Sequence, residues 1–327
     1  MALPIIQNCP SSLAPDHDTF SRTALKHLFF NKKVSAILDY NSPNTNENEA
    51  DLFNENKNRI SISGVQEKFS VLLEKNKLRL VKKNELGQYI LKPIPQVGKN
   101  AQYMPANEHL TMQIAKQTFN IETAENGLVF FKDGSPAYIT KRFDFKKNGE
   151  KWAQEDFASL AGRTPQTHGE DYKYLGNYLE LFTILKKHVP AYMIESIKLY
   201  KLILFNYLFS NGDAHFKNFS LIETALGDYK LSPAYDLLNS RIHIEDRDFA
   251  LEDGLLPPNL KHGKIKTQFY IFGEQAEIPK LQIDKIFKDL TSKENQVYQL
   301  IEASFLSDQL KRNYKQAYQT RLKKLLR

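Results

Sequence analysis

Positions 202–209, LILFNYLF, are apolar on nearly every side and close a run of helical length, 191–209. A helix with no polar face needs neighbours all round, so it must lie at the centre of a helical lobe. Straight after it comes SNGDAHFKNF, 210–219, with Asp213 five residues before Asn218. On a turn too tight for a helix, those two side chains can converge on one point. Phosphoryl transfer needs that pairing: a carboxylate to accept the proton of an attacking hydroxyl, and a carboxamide oxygen to help hold Mg2+ against nucleotide phosphates. Eighteen residues further on, LSPAYDLL supplies Asp236 after a strand-like approach, where a second metal-binding carboxylate is required. Asn and Asp also favour ordinary turns, so the rest of the chain has to decide between the two readings.

The pattern ahead of that helix is different. SRTALKHLFF, 21–30, suits a short helix, and seven Asn between 41 and 58 suit a connector. From Arg59 onward RISIS, FSVLL, LRLVK and YILK read as short strands separated by polar turns, which predicts an antiparallel sheet. NEHLTMQIAKQT then reads as a helix burying Leu110, Ile114 and Phe119, and GLVFF and PAYITKRF add two strands. Beyond 144 the runs have helical length: YLELFTILKKHV, 191–209, and 281–327. The expected organisation is an N-terminal segment and connector (1–58), a strand-rich nucleotide-binding lobe (59–144) and a helical catalytic lobe (145–327). Strands followed by helices place the chain in the α+β class.

A length of 327 residues suits about two domains. One cysteine, Cys9, excludes an internal disulfide and a cysteine-cluster zinc site. No apolar run is long enough to span a bilayer, and MALPIIQNCPSS lacks the basic start and apolar core of a signal peptide. A cytoplasmic enzyme with no membrane contact is the expectation. The net charge of +7 is local, because seven of the 45 basic residues fall in the last seventeen positions, leaving 38 to face 38 acids. In that tail Leu310, Tyr314, Ala317, Tyr318, Leu322 and Leu325 recur at helical steps. The tail is therefore expected to dock by one face, with its basic residues in solvent; contact with nucleic acid or an acidic partner is the alternative.

A nucleotide site also needs backbone N–H groups and a cation. SISGVQEK, 61–68, lies between two strands with Gly64 at its bend, where a side chain would obstruct a phosphate. Lys92, in YILKPIP, either faces inward, which is costly unless it meets an anion, or sits on an edge facing water. Loop, strand Lys92, helical Glu108, Asp213 with Asn218, and Asp236 occur in the order a kinase needs.

In these stretches the sequence resembles the HipA-type serine/threonine kinases, toxins of bacterial toxin–antitoxin systems. The resemblance rests on SISGVQEK, YILKP, NEHLTM, ITKRFDF, QEDF, NGDAHFKNF and SPAYD, across 59–240, and on KENQVYQLIEASFLS, which is similar to the helical end of the short branch, HipT of HipBST systems. It implies a two-lobed, α+β protein-kinase-like fold that transfers the ATP γ-phosphoryl to a serine of an aminoacyl-tRNA synthetase, tryptophanyl or glutamyl, which inhibits translation. Carried over by residue, Asp213 would be the catalytic base, with Asn218 and Asp236 on Mg2+. Lys92 would neutralise the ATP phosphates beneath a loop of Ser63, Gly64, Val65, Gln66, Glu67 and Lys68. Lys141, Arg142 and Phe143 would form the adenine hinge, Asp144 and His215 would lie near ribose or phosphates, and Lys217 would serve the γ-phosphoryl. Autophosphorylation would fall on Ser61 and Ser63.

Two departures accompany the resemblance. Full-length members carry an extra subdomain ahead of the phosphate loop, where this chain has sixty residues before Ser61. In the short branch that part is a separate protein, HipS, acting beside the DNA-binding antitoxin HipB, so any DNA contact would be indirect. Lys141 also stands where full-length members have an acid. The alternatives are a small-molecule or lipid phosphotransferase, for which EDRD (245–248) is the nearest acidic pocket, and a pseudokinase or nucleic-acid-binding component.

Overall fold

Five runs rich in β-branched, aromatic and aliphatic residues pair into one sheet: β1 (Phe69–Glu74), β2 (Lys77–Leu80), β3 (Tyr89–Pro93), β4 (Asn126–Phe130) and β5 (Pro136–Lys141), in the order β2-β1-β3-β5-β4. Every pairing is antiparallel, with Val71 opposite Tyr89 and Lys92 opposite Tyr138. Lys92 thus sits on the central strand and is buried, which removes the edge reading. The computed structural model describes residues 3–43, 67–96, 98–146, 148–244 and 247–327. The strand expected at RISIS lies outside them.

The chain divides into two compact units. The first holds Met1–Gln113, Ala124–Phe143 and Gln299–Lys311; the second holds Ile114–Thr123, Asp144–Tyr298 and Arg312–Arg327. In the first unit, helix α1 (Arg22–Phe29) is capped by the Ser21 hydroxyl and buries Ala24, Leu28 and Phe29. These residues share one core with Cys9, Phe20, Val71, Tyr89 and Ile139, and the Tyr89 hydroxyl donates to the Leu28 carbonyl at 2.8 Å. The N-terminal residues that the sequence reading set apart from the sheet therefore build its core with it. Helix α2 (Met104–Gln113) buries every side chain from Pro105 to Gln113, Glu108 among them.

In the second unit, helices α3 (Leu179–His188) and α4 (Tyr192–Leu208) pack together, and α4 is buried continuously from Leu202 to Leu208, as its composition demands. This unit also contains a sheet that the sequence reading missed, β6 (Gln154–Asp156), β7 (Ser220–Glu223) and β8 (Tyr229–Leu231), paired antiparallel in the order β6-β7-β8. Strands of three and four residues carry too little alternation to stand out among helices. Further helices are α5 (Ile265–Gln275), also unassigned from sequence, α6 (Lys280–Thr291), α7 (Glu294–Ala303) and α8 (Asp308–Leu326).

The docked face expected of α8 is present: Leu310, Tyr314, Ala317, Tyr318, Leu322 and Leu325 are all buried. One residue of the basic tail corrects the expectation of a solvated basic face. Arg321 is fully buried and ion-paired with Asp248. No helix among the described residues is long and apolar enough to cross a membrane.

Candidate active site

The turn after α4 is built from short polar side chains holding backbone. Ser210 takes a left-handed conformation (φ 54°), which reverses the chain at the helix end. Ser240 secures that reversal: its N–H and hydroxyl donate to the Ser210 carbonyl at 3.0 and 2.8 Å, and its Oγ accepts the Gly212 N–H at 2.8 Å. Asn211 reaches two loops at once. Its Oδ1 accepts the Asp213 N–H at 3.4 Å, while its Nδ2 donates to Asn206 Oδ1 at 3.1 Å and lies 3.4 Å from the Asp236 carbonyl. A single 3-10 turn, Phe216–Asn218, then closes with the Asn218 N–H on the His215 carbonyl at 2.9 Å. The structure thereby brings Asp213, His215, Lys217 and Asn218 onto one turn, with Asp236 tied to its base.

The side chains on this turn differ sharply in environment. Asp213 is half exposed, and its Oδ1 accepts the Tyr174 hydroxyl at 2.8 Å. Asn218 Oδ1 is buried with no hydrogen-bond partner in the protein among the described residues. A buried acceptor left unpaired is costly, so such a group points to a missing donor or cation. Asp236 is a non-glycine residue at φ 55°, an arrangement that concentrates at functional sites. Lys217 donates to Asp156 Oδ2 at 2.8 Å, and Asp156 also caps the short helix Phe157–Leu160. Burial alone would lower the Lys217 pKa, but the bond to Asp156 and the charges of Asp156 and Tyr172 outweigh it, and the net direction is upward.

His215 is buried, with its Nε2 3.9 Å from Asp213 Oδ1. Burial pushes its pKa down to about 4, with Asp213 opposing only partly; His109, buried against the Ser11 carbonyl, is likewise pushed down to about 4. Both are neutral in the native state and titrate near 6.5 when unfolded. Between about pH 6.5 and 4 the unfolded chain therefore binds more protons, so stability falls as pH falls. The expected loss is up to about 3 kcal/mol per histidine on reaching pH 4. Denaturation midpoints at pH 7, 5.5 and 4.5 check this, and His215→Gln should show a shallower decline than the parent.

Within the strand-rich unit, Lys92 Nζ donates to Glu108 Oε1 at 2.6 Å, with both side chains almost fully buried. The Lys92 ammonium also lies 5.3 Å from the Tyr138 ring centre. Along the expected adenine hinge, the Lys141 N–H donates to Glu125 and the Arg142 N–H to Gln88, so these two donors are used by the unit itself. Phe143 ends the second segment of this unit. Lys141 Nζ lies over Phe30 at 3.6 Å, and burial lowers its pKa. Asp144 is buried in the other unit, where its carbonyl accepts the Trp152 N–H at 2.7 Å. Of the expected phosphate loop, Glu67 and Lys68 are described; Ser61, Ser63, Gly64, Val65 and Gln66 lie outside the described residues.

Asn218 and Asp236 offer only hard oxygen donors, and no cluster of three His, Cys, Asp or Glu able to hold a metal exists among the described residues. That donor set suits Mg2+, which keeps much of its water and takes one or two protein ligands plus phosphate oxygens. Asp156, Tyr174, Asn211 and Ser240 are the members of this neighbourhood that sequence reasoning did not place. QEDF marks Asp156, whereas an aromatic residue in a polar loop carries no signal of its own.

The model of the HipA-like C-terminal domain matches residues 60–298. The chain belongs to that family. A Haemophilus influenzae relative named "Putative kinase" is 27% identical over 271 residues, covering 76% of each chain. The Sinorhizobium fredii "Putative kinase Y4dM" is 32% identical over 207 residues, and there the match spans 59% of this chain and about half, 48%, of the relative. Among solved structures, HipA in the Shewanella oneidensis toxin–antitoxin complex with HipB and operator DNA aligns with a TM-score of 0.63 at 20% identity, covering 88% of this chain and 72% of that one. The Helicobacter pylori proinflammatory kinase CtkA aligns at 0.51 and 16% identity, covering 78% and 92%. The fold is therefore the α+β, two-lobed kinase-like class expected from the HipA-type pattern.

Proposed function

We propose that this HipA-family chain is an ATP-dependent serine/threonine protein kinase and the toxin of a toxin–antitoxin system. The observation that carries the reading is the Lys92–Glu108 pair, a strand lysine held by a helix glutamate at 2.6 Å inside the strand-rich unit. Kinases require that ion pair to set the lysine for the nucleotide phosphates. A pair of this kind is a poor stability device, because desolvating both charges offsets most of their attraction. Asn218 Oδ1, buried and unpaired among the described residues on the turn that carries Asp213, supports the same reading from the helical unit.

In this reading Asp213 takes the proton of the acceptor hydroxyl, and Asn218 and Asp236 hold Mg2+. The ion, when bound, neutralises charge on the transferring phosphoryl group. Lys92 holds the ATP phosphates beneath Ser63, Gly64, Val65, Gln66, Glu67 and Lys68. Lys141, Arg142, Phe143 and Asp144 serve as hinge and ribose contacts through groups other than the two N–H donors already used. Neutral His215 is available as a hydrogen-bond donor. Lys217 rests on Asp156 and would have to leave it to reach a phosphoryl group. The acceptor is a serine of an aminoacyl-tRNA synthetase, and self-phosphorylation at Ser61 or Ser63 limits activity. The HipT-like stretch KENQVYQLIEASFLS supports membership of the short branch, with a HipS-like protein and a HipB-like DNA-binding antitoxin as partners.

One observation disfavours a small-molecule phosphotransferase. Asp248 of EDRD is paired with Arg321 and Lys324 rather than open to a cationic acceptor. The assignment of the metal ligands is tested by titrating ATP with and without Mg2+. Asp236→Ala should weaken Mg2+-dependent ATP binding by at least about tenfold, the loss of roughly one charge-assisted interaction, while leaving Mg2+-free binding unchanged. Equal Mg2+ dependence in parent and variant would remove Asp236 from the metal site.

A further inference from the structure

Tyr174 holds the catalytic turn from outside it. Its hydroxyl donates to Asp213 Oδ1 at 2.8 Å, its ring meets His215 edge-on with centres 5.1 Å apart, and its carbonyl accepts the Glu252 N–H at 3.0 Å. Its neighbours grip the same turn. The Lys173 carbonyl accepts the Phe216 N–H at 3.1 Å, and the Tyr178 hydroxyl donates to the Ala214 carbonyl at 2.7 Å. Segment 173–178 therefore touches the turn at Asp213, Ala214 and Phe216.

Left to itself, an aspartate carboxylate has a broad terminal torsion and presents its oxygens over a wide arc. With Oδ1 fixed by a phenol, the direction of Oδ2 is fixed too. No protein donor meets Oδ2 among the described residues, and the side chain is half exposed, so that oxygen is open to an incoming hydroxyl. We propose that Tyr174 is the positioning residue of the phosphoryl-transfer base, pinning Asp213 Oδ1 so that Oδ2 receives the proton of the acceptor. The proposal rests on the reading of Asp213 as that base.

Burial first, then the charge of Asp213 and the bond to it, raise the Tyr174 phenol well above its ordinary value. It stays a donor through the whole neutral range. The other charged or titratable groups around the pair are Asp171 and Lys173 on the same segment, His215 on the turn, and Asp236; His215 is neutral down to about pH 4.

The test is steady-state ADP release from Mg·ATP by the purified chain at neutral pH, for the parent, Tyr174→Phe, Asp213→Asn and the double variant. Tyr174→Phe keeps the ring against His215, which protects the fold. Expected are a fall in kcat of about tenfold at neutral pH and an unchanged KM for ATP. Asp213→Asn should be far slower, and adding Tyr174→Phe to it should change nothing more. A parental kcat in Tyr174→Phe, or a fall that persists when Tyr174→Phe is added to Asp213→Asn, would overturn the positioning role and leave the base intact. Full turnover in Asp213→Asn would overturn the base itself, and the role of Tyr174 with it.

Discussion

Asp213→Ala should reduce phosphoryl transfer by roughly 10²- to 10⁴-fold, the range that a positioned general base contributes, while ATP still binds. The separation follows from the geometry. Asp213 is half exposed; its side chain accepts from Tyr174 through Oδ1, and its backbone bonds Asn211 and the His215 N–H, so among the described residues its side chain supports none of the buried network beneath it. Removing the carboxylate leaves Ser240, Asn211 and the 3-10 turn in place. Radiolabel transfer from γ-labelled ATP together with calorimetric ATP titration resolves the two properties. A variant that keeps full transfer would show that the base lies elsewhere.

The second large effect concerns stability. Arg321→Leu should destabilise the chain by about 3 kcal/mol, in the range for breaking a buried charge network. The guanidinium is fully buried, pairs with Asp248, donates to the Arg247 carbonyl at 3.2 Å, lies 3.3 Å from Ser210 Oγ, and covers the Tyr207 ring with 4.7 Å to its centre. Leucine fills part of the volume and satisfies none of those acceptors. Asp248 keeps Lys324, is nearly half exposed and can take up water, which holds the loss below that of a fully buried pair. Urea unfolding of parent, Arg321→Leu and Arg321→Lys checks the value. A shift under about 0.5 kcal/mol would mean that the network is already open to solvent.

What the sequence disclosed, and what it withheld, follows physical lines. The sheet was readable because FSVLL and YILK combine β-branched and aromatic residues with polar turns on both sides, and α4 because every residue from 202 to 209 except Asn206 is aliphatic or aromatic. The turn at 210–219 was readable because its polar residues have fixed chemical capacities at fixed spacing. Arg321 was not readable. Seven basic residues at the end of a chain look alike in sequence, and only the arrival of Asp248 from 73 positions away distinguishes the one that is buried. Tyr174 was hidden for the same reason, since its bond to Asp213 spans 39 positions. Lys217 was legible as a lysine near the site, but its ordered place on Asp156 required the partner to come from β6. The strands of the small sheet were obscured by their length, and the contribution of Cys9, Phe20 and α1 to the sheet core by a connector that made the N-terminal residues look separate.

The central claim is that Asp213, with Asn218 and Asp236, transfers the γ-phosphoryl of ATP to a protein serine. Its most direct test is a quantitative phosphoproteome of host cells producing the parent chain, compared with cells producing Asp213→Ala at the same level. The account predicts serine phosphopeptides from an aminoacyl-tRNA synthetase with the parent only, accompanied by arrested growth. Indistinguishable phosphoproteomes, with both proteins folded and the parent binding Mg·ATP, would contradict it.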